Sequence, residues 1–316
     1  MYGKAIFGLI LNAKFSPGSG KKILIVNHGA LGDFIHSIPL IQYLKDNGYS
    51  VDVSTKENNK IMDLPIDYTS TNPYTSYDII FNINSPPTMW FGLFFANTFD
   101  LLGEKVYRKY IKKDWTEVHW AEFYLKTAQK LLNLPDPIPM NKISTSKEAI
   151  LIHPGASFSE KSWGIANFVW LANELSKKSK VWIVLGPSEY DLSTHFLPTD
   201  NLEIILSRNM TDLFNIVKYS KIFIGNDSGV LHVASLFNIP VFGIYTVGCA
   251  NTHFPYTKKA MYYFDKDQFN AYYKRHEILK STLVKEEALK QINVLLTGKF
   301  NSVGPNFQNT LSQKGL

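Results

Sequence analysis

The sequence lacks the features that mark several classes of protein. Its 316 residues include a single cysteine, Cys249, which excludes an intrachain disulfide framework and a metal site made of cysteines alone. No apolar run approaches the roughly 20 residues that a membrane-spanning helix needs. The eight histidines show no metal-ligand spacing such as His-Glu-x-x-His. The sequence therefore predicts neither a disulfide scaffold nor a membrane span, and it shows no histidine metal motif.

The composition is that of an ordinary globular protein. Apolar residues make up 45% of the chain and charged residues 19%. The formal net charge of +6 permits an acidic partner without requiring one. The length favours two domains of about 150 residues each. The apolar stretch AIFGLIL near the start allows two interpretations, a strand or helix packed on the first domain or a short interfacial anchor.

Strand-like apolar runs alternate with helical patterns along most of the chain. Residues 1–134 contain the runs KILIVN, SVDVST and YDIIFNIN, with helical patterns at about 33–47 and near HWAEFYLKTAQKLLNL. Residues 135–149 hold three prolines in five residues and predict a linker. The alternation resumes in residues 150–283, and residues 284–316 predict a charged helix and a mobile polar tail. This order predicts two doubly wound α/β domains with parallel sheets, facing a cleft.

Two loops after predicted strands carry groups that suit an anion. In GNDSGVLH, the amides of Ser228, Gly229 and Val230 lie at the predicted start of a helix and can bind an anion. The alternative is that Asp227 or Ser228 only caps the helix. In HPGASFSEKSW, Lys161 can reach the same cleft, where a cation and amide donors would stabilise a departing diphosphate. A solvated loop lysine is the alternative.

Two acids stand in further loops of this kind. Glu189, after LGPS, can accept hydrogen bonds from ribose hydroxyls. Asp33 stands in the loop NHGALGD, between a strand and a helix, where a glycine turn usually holds a phosphate on the helix amides. A carboxylate at that place disfavours a bound phosphate. It indicates a different role for the turn.

Three segments of the sequence together resemble one family. GALGDFIHSIPLI, HPGASFSEKSWGIANF and GNDSGVLHVASLFNIPVFGIY resemble the lipopolysaccharide heptosyltransferases, glycosyltransferase family 9, over roughly residues 21–297. The resemblance implies the GT-B fold, two Rossmann-like doubly wound domains facing a central cleft. Residues 1–134 would bind the acceptor and residues 150–283 the nucleotide-sugar donor.

The resemblance also implies a reaction. The family contains inverting, metal-independent enzymes that move heptose from ADP-heptose to an inner-core sugar of lipopolysaccharide or lipooligosaccharide, with Kdo-lipid A or a related acceptor. It implies a cytoplasmic protein, peripheral on the inner face of the inner membrane, with no cofactor and no nucleic-acid partner. Two alternatives stay open, a GT-B transferase that uses another nucleotide sugar for surface glycans, and a non-catalytic nucleotide-sugar-binding module.

The roles implied for single residues follow the three motifs. Asp33 matches the family's proposed catalytic base, which takes the proton of the attacking acceptor hydroxyl; a helix N-cap is the alternative. Gly29 and Gly32 would keep side chains out of the acceptor's way. The matching donor-binding residues are Lys161, Asp227, Ser228, Gly229 and Val230, with Glu189 beside them. Serine replaces the family's threonine but keeps the hydroxyl, whereas NHGAL departs from the Arg or Ser of many relatives and leaves the acceptor contacts open.

Metal dependence and two other enzyme classes are disfavoured. Asp52, followed by Val53 and Ser54, lacks the second acid of the Asp-x-Asp pattern of many metal-dependent glycosyltransferases, and Lys161 with the helix amides would take the cation's place. The two glycines of NHGALGDF do not form the Gly-x-Gly-x-x-Gly fingerprint of a nicotinamide oxidoreductase. No acid/base pair of a nucleotide-sugar epimerase stands out. His153 and His232 are interpreted as packed, hydrogen-bonded histidines.

A basic segment, EKVYRKYIKKDW, suggests how an acidic acceptor could be held. Its cations are spaced so that a helix would gather most of them on one face, namely Lys105, Arg108, Lys109, Lys112 and Lys113. An inner-core acceptor carries carboxylates and phosphates in an anionic leaflet, to which such cations are attracted. A solvated helix face is the alternative.

Overall fold

The structure, a computed structural model, divides into two compact units, residues 1–141 and residues 142–316. The described residues are 21–69, 77–84, 97–100, 118–140, 142–247, 250–264 and 284–297. The first 20 residues, the basic segment at 104–115, Cys249 and the predicted tail from residue 298 lie outside them. No described helix is both long and apolar enough to cross a membrane.

The first unit contains a parallel five-stranded sheet in the order β3-β2-β1-β4-β5. Its described elements are β1 (Lys22–Asn27), α1 (Leu31–Asp46), β2 (Ser50–Thr55), β3 (Asp67–Tyr68), β4 (Ile79–Asn84), β5 (Asn97–Asp100) and α2 (Trp120–Leu132). The apolar run of β1 is buried throughout, as a central strand covered on both faces requires. A short 3-10 turn, Glu57–Asn59, follows β2.

The second unit contains a parallel six-stranded sheet in the order β11-β10-β9-β6-β7-β8. Its described elements are β6 (Ala149–His153), α3 (Ile165–Ser176), β7 (Val181–Leu185), β8 (Leu202–Leu206), α4 (Met210–Lys218), β9 (Ser220–Asn226), α5 (Gly229–Ala234), β10 (Val241–Tyr245), α6 (Ala250–His253), β11 (Ala260–Phe264) and α7 (Lys285–Leu296). With β6 counted as the first strand, the order reads 3-2-1-4-5-6, that of doubly wound nucleotide-binding domains.

Helix α3 illustrates how the apolar pattern builds the second core. Phe168, Leu171, Ala172 and Leu175 recur at helical spacing and are all buried. The Phe168 ring meets Trp163 edge to face, with 5.3 Å between the ring centroids. The contact joins the helix to the loop that precedes it. The sequence predicts a helix from about residue 165 to 177, and the structure confirms it as α3 (Ile165–Ser176).

Three features differ from the sequence-based expectations. The sequence predicts a loop-rich stretch at residues 85–98, but strand β5 (Asn97–Asp100) overlaps its end, and NTFD has no apolar alternation to mark a strand. Helix α1 begins two residues before Asp33, at Leu31, and contains Pro39, which has no N–H to donate within the helix. The apolar pattern GVLHVASLF predicts a helix through residue 237, but helix α5 ends at Ala234.

Part of the predicted linker is bonded into the second unit. The buried ammonium of Lys142 donates to the carbonyls of Ser235 at 2.7 Å and of Tyr256 at 2.8 Å. The backbone of Ile143 exchanges hydrogen bonds with Leu236 and Asn238. Burial lowers the pKa of Lys142 to about 8. The chain is thus fixed to this unit several residues before β6 begins.

Candidate active site

The strand order of the second unit predicts where a ligand would bind. Strands β6 and β9 are neighbours, and the connections that leave them run to opposite sides of the sheet. Open α/β sheets bind ligands at the carboxyl ends of such strands. His153 ends β6 and Asn226 ends β9, and His153 is in register with Gly225. The two predicted donor-side loops therefore start side by side.

Asn226 joins these two loops. Its side chain is fully buried, and its Oδ1 accepts the Trp163 N–H at 3.1 Å. Its Nδ2 donates to the carbonyls of Pro154 at 2.8 Å and Gly155 at 3.2 Å. Both ends of the loop that carries Lys161 are thereby tied to the end of β9.

Lys161 and Asp227 are brought together by this arrangement. The Lys161 Nζ lies 2.6 Å from Asp227 Oδ2, with the lysine side chain 21% exposed and the aspartate side chain 6% exposed. The ammonium also lies 5.2 Å from the centre of the Phe158 ring. The other Asp227 oxygen is 4.0 Å from Nε2 of the buried His232. The ion pair thus fixes a cation, still partly open to solvent, beside the start of α5.

The capping alternative for the Asp-Ser-Gly turn is not what the structure shows. Ser228 occupies the N-cap position of α5 in an extended conformation, and its side chain makes no hydrogen bond to the helix amides. Asp227 pairs with Lys161 instead. Gly229 and Val230 open the helix and are half-buried. The first amides of the helix therefore have no side-chain acceptor from either residue.

Glu189 contacts a histidine that the sequence did not mark as part of the site. It lies in a 3-10 segment, Pro187–His195, and its Oε2 is 3.0 Å from His153 Nε2 and 2.9 Å from the Gly186 N–H nitrogen. Burial would raise the pKa of the Glu189 carboxyl, but the hydrogen bond and charge of His153 and the Gly186 N–H hold the pKa below its usual value. The other imidazole nitrogen, Nδ1, is 3.5 Å from Ser228 Oγ. Two predicted donor residues, Glu189 and Ser228, are thus linked through His153.

In the first unit, Asp33 is the third residue of α1 rather than its N-cap. Its Oδ2 accepts the N–H of Ala30, the N-cap residue, at 3.0 Å. The third residue thus provides its half of a capping box, whereas Ala30 has no side-chain acceptor to provide the other half. Asp33 is half-exposed, as is Gly32 beside it. The carboxylate therefore stabilises the start of the helix on which it stands.

A second buried asparagine holds the loop before Asp33. Asn27, at the end of β1, donates to the Asp33 carbonyl at 2.9 Å and accepts the Gly29 N–H at 3.1 Å. The Gly29 carbonyl accepts from Asn59 at 3.2 Å. The loop is therefore anchored from both sides, and Gly29 is buried within it.

Two more residues near Asp33 were not predicted. The His28 Nε2 is 2.9 Å from Ser54 Oγ, and burial followed by the charge of Lys56 lowers the pKa of His28. Burial and then the charge of Asp33 raise the pKa of Tyr124, on α2, above its usual range. His28 stood in a motif already noted, but Tyr124 is about 90 residues from Asp33 in sequence and had no local signal.

The predicted basic residues lie outside the described part of the chain, namely Lys105, Arg108, Lys109, Lys112 and Lys113. Among the described residues, no group of three or more His, Cys, Asp or Glu side chains is arranged to hold a metal ion.

Solved structures share the fold over most of the chain. The glycosyl transferase family 9 structure from Veillonella parvula DSM 2008 aligns with a TM-score of 0.72 at 16% identity, covering 90% of this chain and 100% of that chain. The E. coli ADP-heptose lps heptosyltransferase II aligns with a TM-score of 0.65 at 17% identity, covering 88% and 99%. The E. coli heptosyltransferase WaaC with ADP aligns with a TM-score of 0.63 at 13% identity, covering 87% and 99%. A comparison with curated protein sequences found no significant match.

These likenesses show the fold, which is GT-B with two Rossmann-like domains, as predicted. Residues 136–282 match the model of glycosyltransferase family 9 (heptosyltransferase). This match contains two of the three sequence motifs, at residues 153–168 and 225–245, and it agrees with the resemblance to this family.

The Asn226 contacts generate a test of how the lysine loop is held. Asn226→Ala should remove about 1–3 kcal/mol from the free energy of unfolding of the second unit, because one buried N–H and two buried carbonyls lose their partner. Urea denaturation measures the loss. Asn173→Ala, at an exposed position on α3, should change the same free energy by less than about 0.5 kcal/mol. Equal stability of the two variants would contradict the anchoring role.

Proposed function

We propose that the protein is an inverting, metal-independent glycosyltransferase that moves heptose from ADP-heptose to an inner-core sugar of lipopolysaccharide or lipooligosaccharide. The observation that carries the proposal is the Lys161–Asp227 pair beside the start of α5, at the carboxyl ends of β6 and β9. Relatives of the same fold are described as an ADP-heptose lps heptosyltransferase and as a heptosyltransferase with ADP. In this proposal the acceptor is Kdo-lipid A or a related inner-core sugar, reached from the cytoplasmic side by a peripheral protein.

The donor would be held through its diphosphate. The Lys161 ammonium has three N–H donors, so it can bind a phosphate oxygen while it keeps its contact with Asp227. A charge-assisted bond of this kind also stabilises the negative charge that grows on the departing nucleoside diphosphate. The amides of Gly229 and Val230 would add uncharged donors. The part of the chain that binds the donor is proposed to be residues 150–283.

Asp33 would act on the acceptor side, in residues 1–134. The acceptor oxygen attacks the anomeric carbon from the face opposite the diphosphate, and its proton passes to the Asp33 carboxylate. The bond from the anomeric carbon to the diphosphate oxygen breaks, and its electron pair leaves with the diphosphate. A carboxylate accepts several hydrogen bonds, so the bond from Ala30 does not exclude this role. Gly29 and Gly32 would leave room for the acceptor.

A donor screen tests the proposal as a whole. Purified protein should release nucleotide from ADP-heptose only when a Kdo-lipid A acceptor is present, and chelation of divalent metals should leave the rate unchanged. The chelation arm is needed because an Asp-x-Asp pattern does occur in the sequence, at Asp265 and Asp267, outside the described residues. Release from a different nucleotide sugar would favour the alternative transferase. Binding without release would favour the non-catalytic module.

Lys161 and Asp33 should give different kinetic signatures. Lys161→Ala should weaken donor binding and lower turnover together, because its contact acts on both the ground state and the departing diphosphate. Asp33→Asn should lower kcat by roughly 10²–10⁴-fold and leave donor affinity nearly unchanged, because only the proton transfer is lost. Steady-state kinetics and donor titration measure both effects.

Two matched variants control for the loss of charge. Asp46→Asn changes the exposed last residue of α1, and Lys178→Ala removes an exposed lysine after α3. Both should retain normal kinetics. Near-normal kcat for Asp33→Asn would remove that residue from the base position. Unchanged donor affinity for Lys161→Ala would remove the lysine from the donor site.

The basic segment at 104–115 is proposed to bind the acidic acceptor surface. Changing Lys109, Lys112 and Lys113 together to Gln should raise KM for the lipid acceptor and leave donor binding unchanged. Each cation near an anionic surface contributes about 1 kcal/mol of attraction at moderate salt. The difference from wild type should shrink as ionic strength rises, because screening already weakens the wild-type attraction.

A second triple variant separates this role from a change in net charge. Lys178, Lys218 and Lys258 are exposed residues of the second unit, and their change to Gln removes the same charge. If that control raises KM as much as the first triple variant, or if neither does at low salt, the basic segment is ordinary solvated surface.

A further inference from the structure

We propose that Glu189, His153 and Ser228 form a proton-linked chain that turns the Ser228 hydroxyl toward the diphosphate, and that His153 takes up a proton when the diphosphate binds. His153 is a positioning residue in this proposal, since it acts through Ser228. The inference rests on the diphosphate-binding part of the proposed function and adds a role that the sequence motifs did not assign.

The first step is the contact between Glu189 and His153. The Glu189 Oε2 lies 3.0 Å from His153 Nε2, and the side chain of His153 is only 4% exposed. The Gly186 N–H donates to the same oxygen at 2.9 Å, and the pKa of the Glu189 carboxyl lies below its usual value. An ionised carboxylate can only accept, so Nε2 must carry a hydrogen. The tautomer of a neutral His153 is therefore fixed, with a lone pair on Nδ1.

The second step is the direction of the Ser228 hydroxyl. The Ser228 Oγ is 3.5 Å from His153 Nδ1, a long contact that a small movement of either side chain would shorten. With neutral His153, the serine O–H donates to Nδ1, and the outer side of Oγ offers only lone pairs. With protonated His153, Nδ1–H donates to Oγ, and the serine O–H is released to donate elsewhere. The protonation state of the imidazole thus sets which way the serine donates.

The third step is the chemistry of the ligand. A diphosphate oxygen is anionic and accepts hydrogen bonds, so it is repelled by the lone pairs of Ser228 and bound by its O–H. A diphosphate therefore selects the protonated form of His153, whose positive charge attracts it further. One proton passes from solvent to Nδ1, and no covalent bond of the ligand changes. A ligand without phosphates gives no such selection.

The charges around His153 come from Glu189 and from the Lys161–Asp227 pair. Glu189 supplies one negative charge directly, and the nearby Asp227 is already balanced by Lys161. Other titratable groups on neighbouring elements include His232, which lies 4.0 Å from Asp227, and Tyr190, which donates to the Ser207 carbonyl. Asp191 and His195 are exposed on the Glu189 segment, and Lys221 stands near the start of β9, whereas His153 pairs with Gly225 near its end. Glu189 is thus placed to pair with the imidazolium that a bound diphosphate selects.

Gly155 leaves the space that the Glu189 carboxylate occupies. A Cβ atom at Gly155 would lie 1.8 Å from Glu189 Oε1, so any other residue there would displace the carboxylate. The glycine is therefore required by the Glu189 side chain. Gly155→Ala offers a way to break the chain without changing any of its members.

The test measures protons directly. ADP is titrated calorimetrically into the full-length protein at about pH 8, where the terminal phosphate of ADP is largely ionised. The titration is repeated in two buffers of different ionisation enthalpy, which gives the number of protons taken up. Wild type should take up close to one proton, and His153→Gln close to none. ADP affinity of wild type should fall as pH rises, by up to about tenfold per pH unit.

Further variants separate positioning from simple structural support. Ser228→Thr keeps the hydroxyl and should keep the proton uptake, whereas Ser228→Ala and Gly155→Ala should reduce it. Glu189→Gln should move the fall in affinity to lower pH, since the protonated imidazole loses its counter-ion. His195→Gln, the same substitution at an exposed site on the neighbouring segment, should behave as wild type. Adenosine, which lacks phosphates, should bind without proton uptake.

The outcomes distinguish two failures. If ADP binds wild type and His153→Gln with the same proton uptake, the proton-linked chain is wrong and the donor site stands. If neither ADP, UDP nor GDP binds wild type at all, the diphosphate-binding part of the proposed function is wrong, and this inference is overturned with it.

Discussion

Both candidate sites depend on one constraint. A buried asparagine at the end of a central strand must supply hydrogen-bond partners to the backbone groups of the loop beside it. Asn226 ends β9 and Asn27 ends β1, and both side chains are fully buried. Buried loop amides and carbonyls cannot be left without partners, and neither sheet supplies them beyond its last residue. An amide side chain has both donors and an acceptor, so one residue can fix a loop from both directions. The positions of Lys161 and Asp33 follow from these ties.

The two sites use their glycine-containing turns differently. In the second unit the loops bring a lysine, an aspartate and a histidine to the start of a short helix, and the charges there are largely paired before any ligand is present. In the first unit the carboxylate of Asp33 bonds back to its own helix start. A negative group at that point repels phosphate. The same sheet geometry therefore places an ion pair beside a helix start in one unit and a carboxylate bonded to its own helix start in the other.

Much of the fold and of the candidate site could be predicted from the sequence, because both depend on local patterns. Buried parallel strands such as β6 and β7 are apolar runs, and the loops after them are recognisable by their glycines and polar residues. Strand β5 was missed because its four residues carry no such pattern. The start of α1 was placed too late because Asp is a preferred cap, whereas here Asp33 reaches back to an alanine that cannot cap for itself.

The contacts that the sequence did not indicate are those between side chains of different segments. His153 and Glu189 are 36 residues apart, and Ser228 is 75 residues from His153. The sequence indicates each residue only by itself: His153 as a packed histidine, Glu189 as a loop acid and Ser228 as a serine at a helix start. Only the strand order puts them at one edge of the sheet. Lys142 is a comparable case. It follows a proline-rich stretch in which no pattern marks it, yet its ammonium donates to two carbonyls that are distant in sequence.

Pro39 gives helix α1 a mechanical property that its length alone would not suggest. Without an N–H at this residue, the helix lacks one hydrogen bond near its middle, so it is less stiff there than an unbroken helix of sixteen residues. The first turns, which carry Asp33, are held mainly by the packing of Phe34 and Ile35 and by the Asn27 tie. A ligand that binds the Asp33 carboxylate therefore acts on the first turns of the helix, which are separated from its second half by the missing hydrogen bond at Pro39. We expect a small adjustment of Asp33 to be taken up near Pro39 rather than passed on to the second half of the helix.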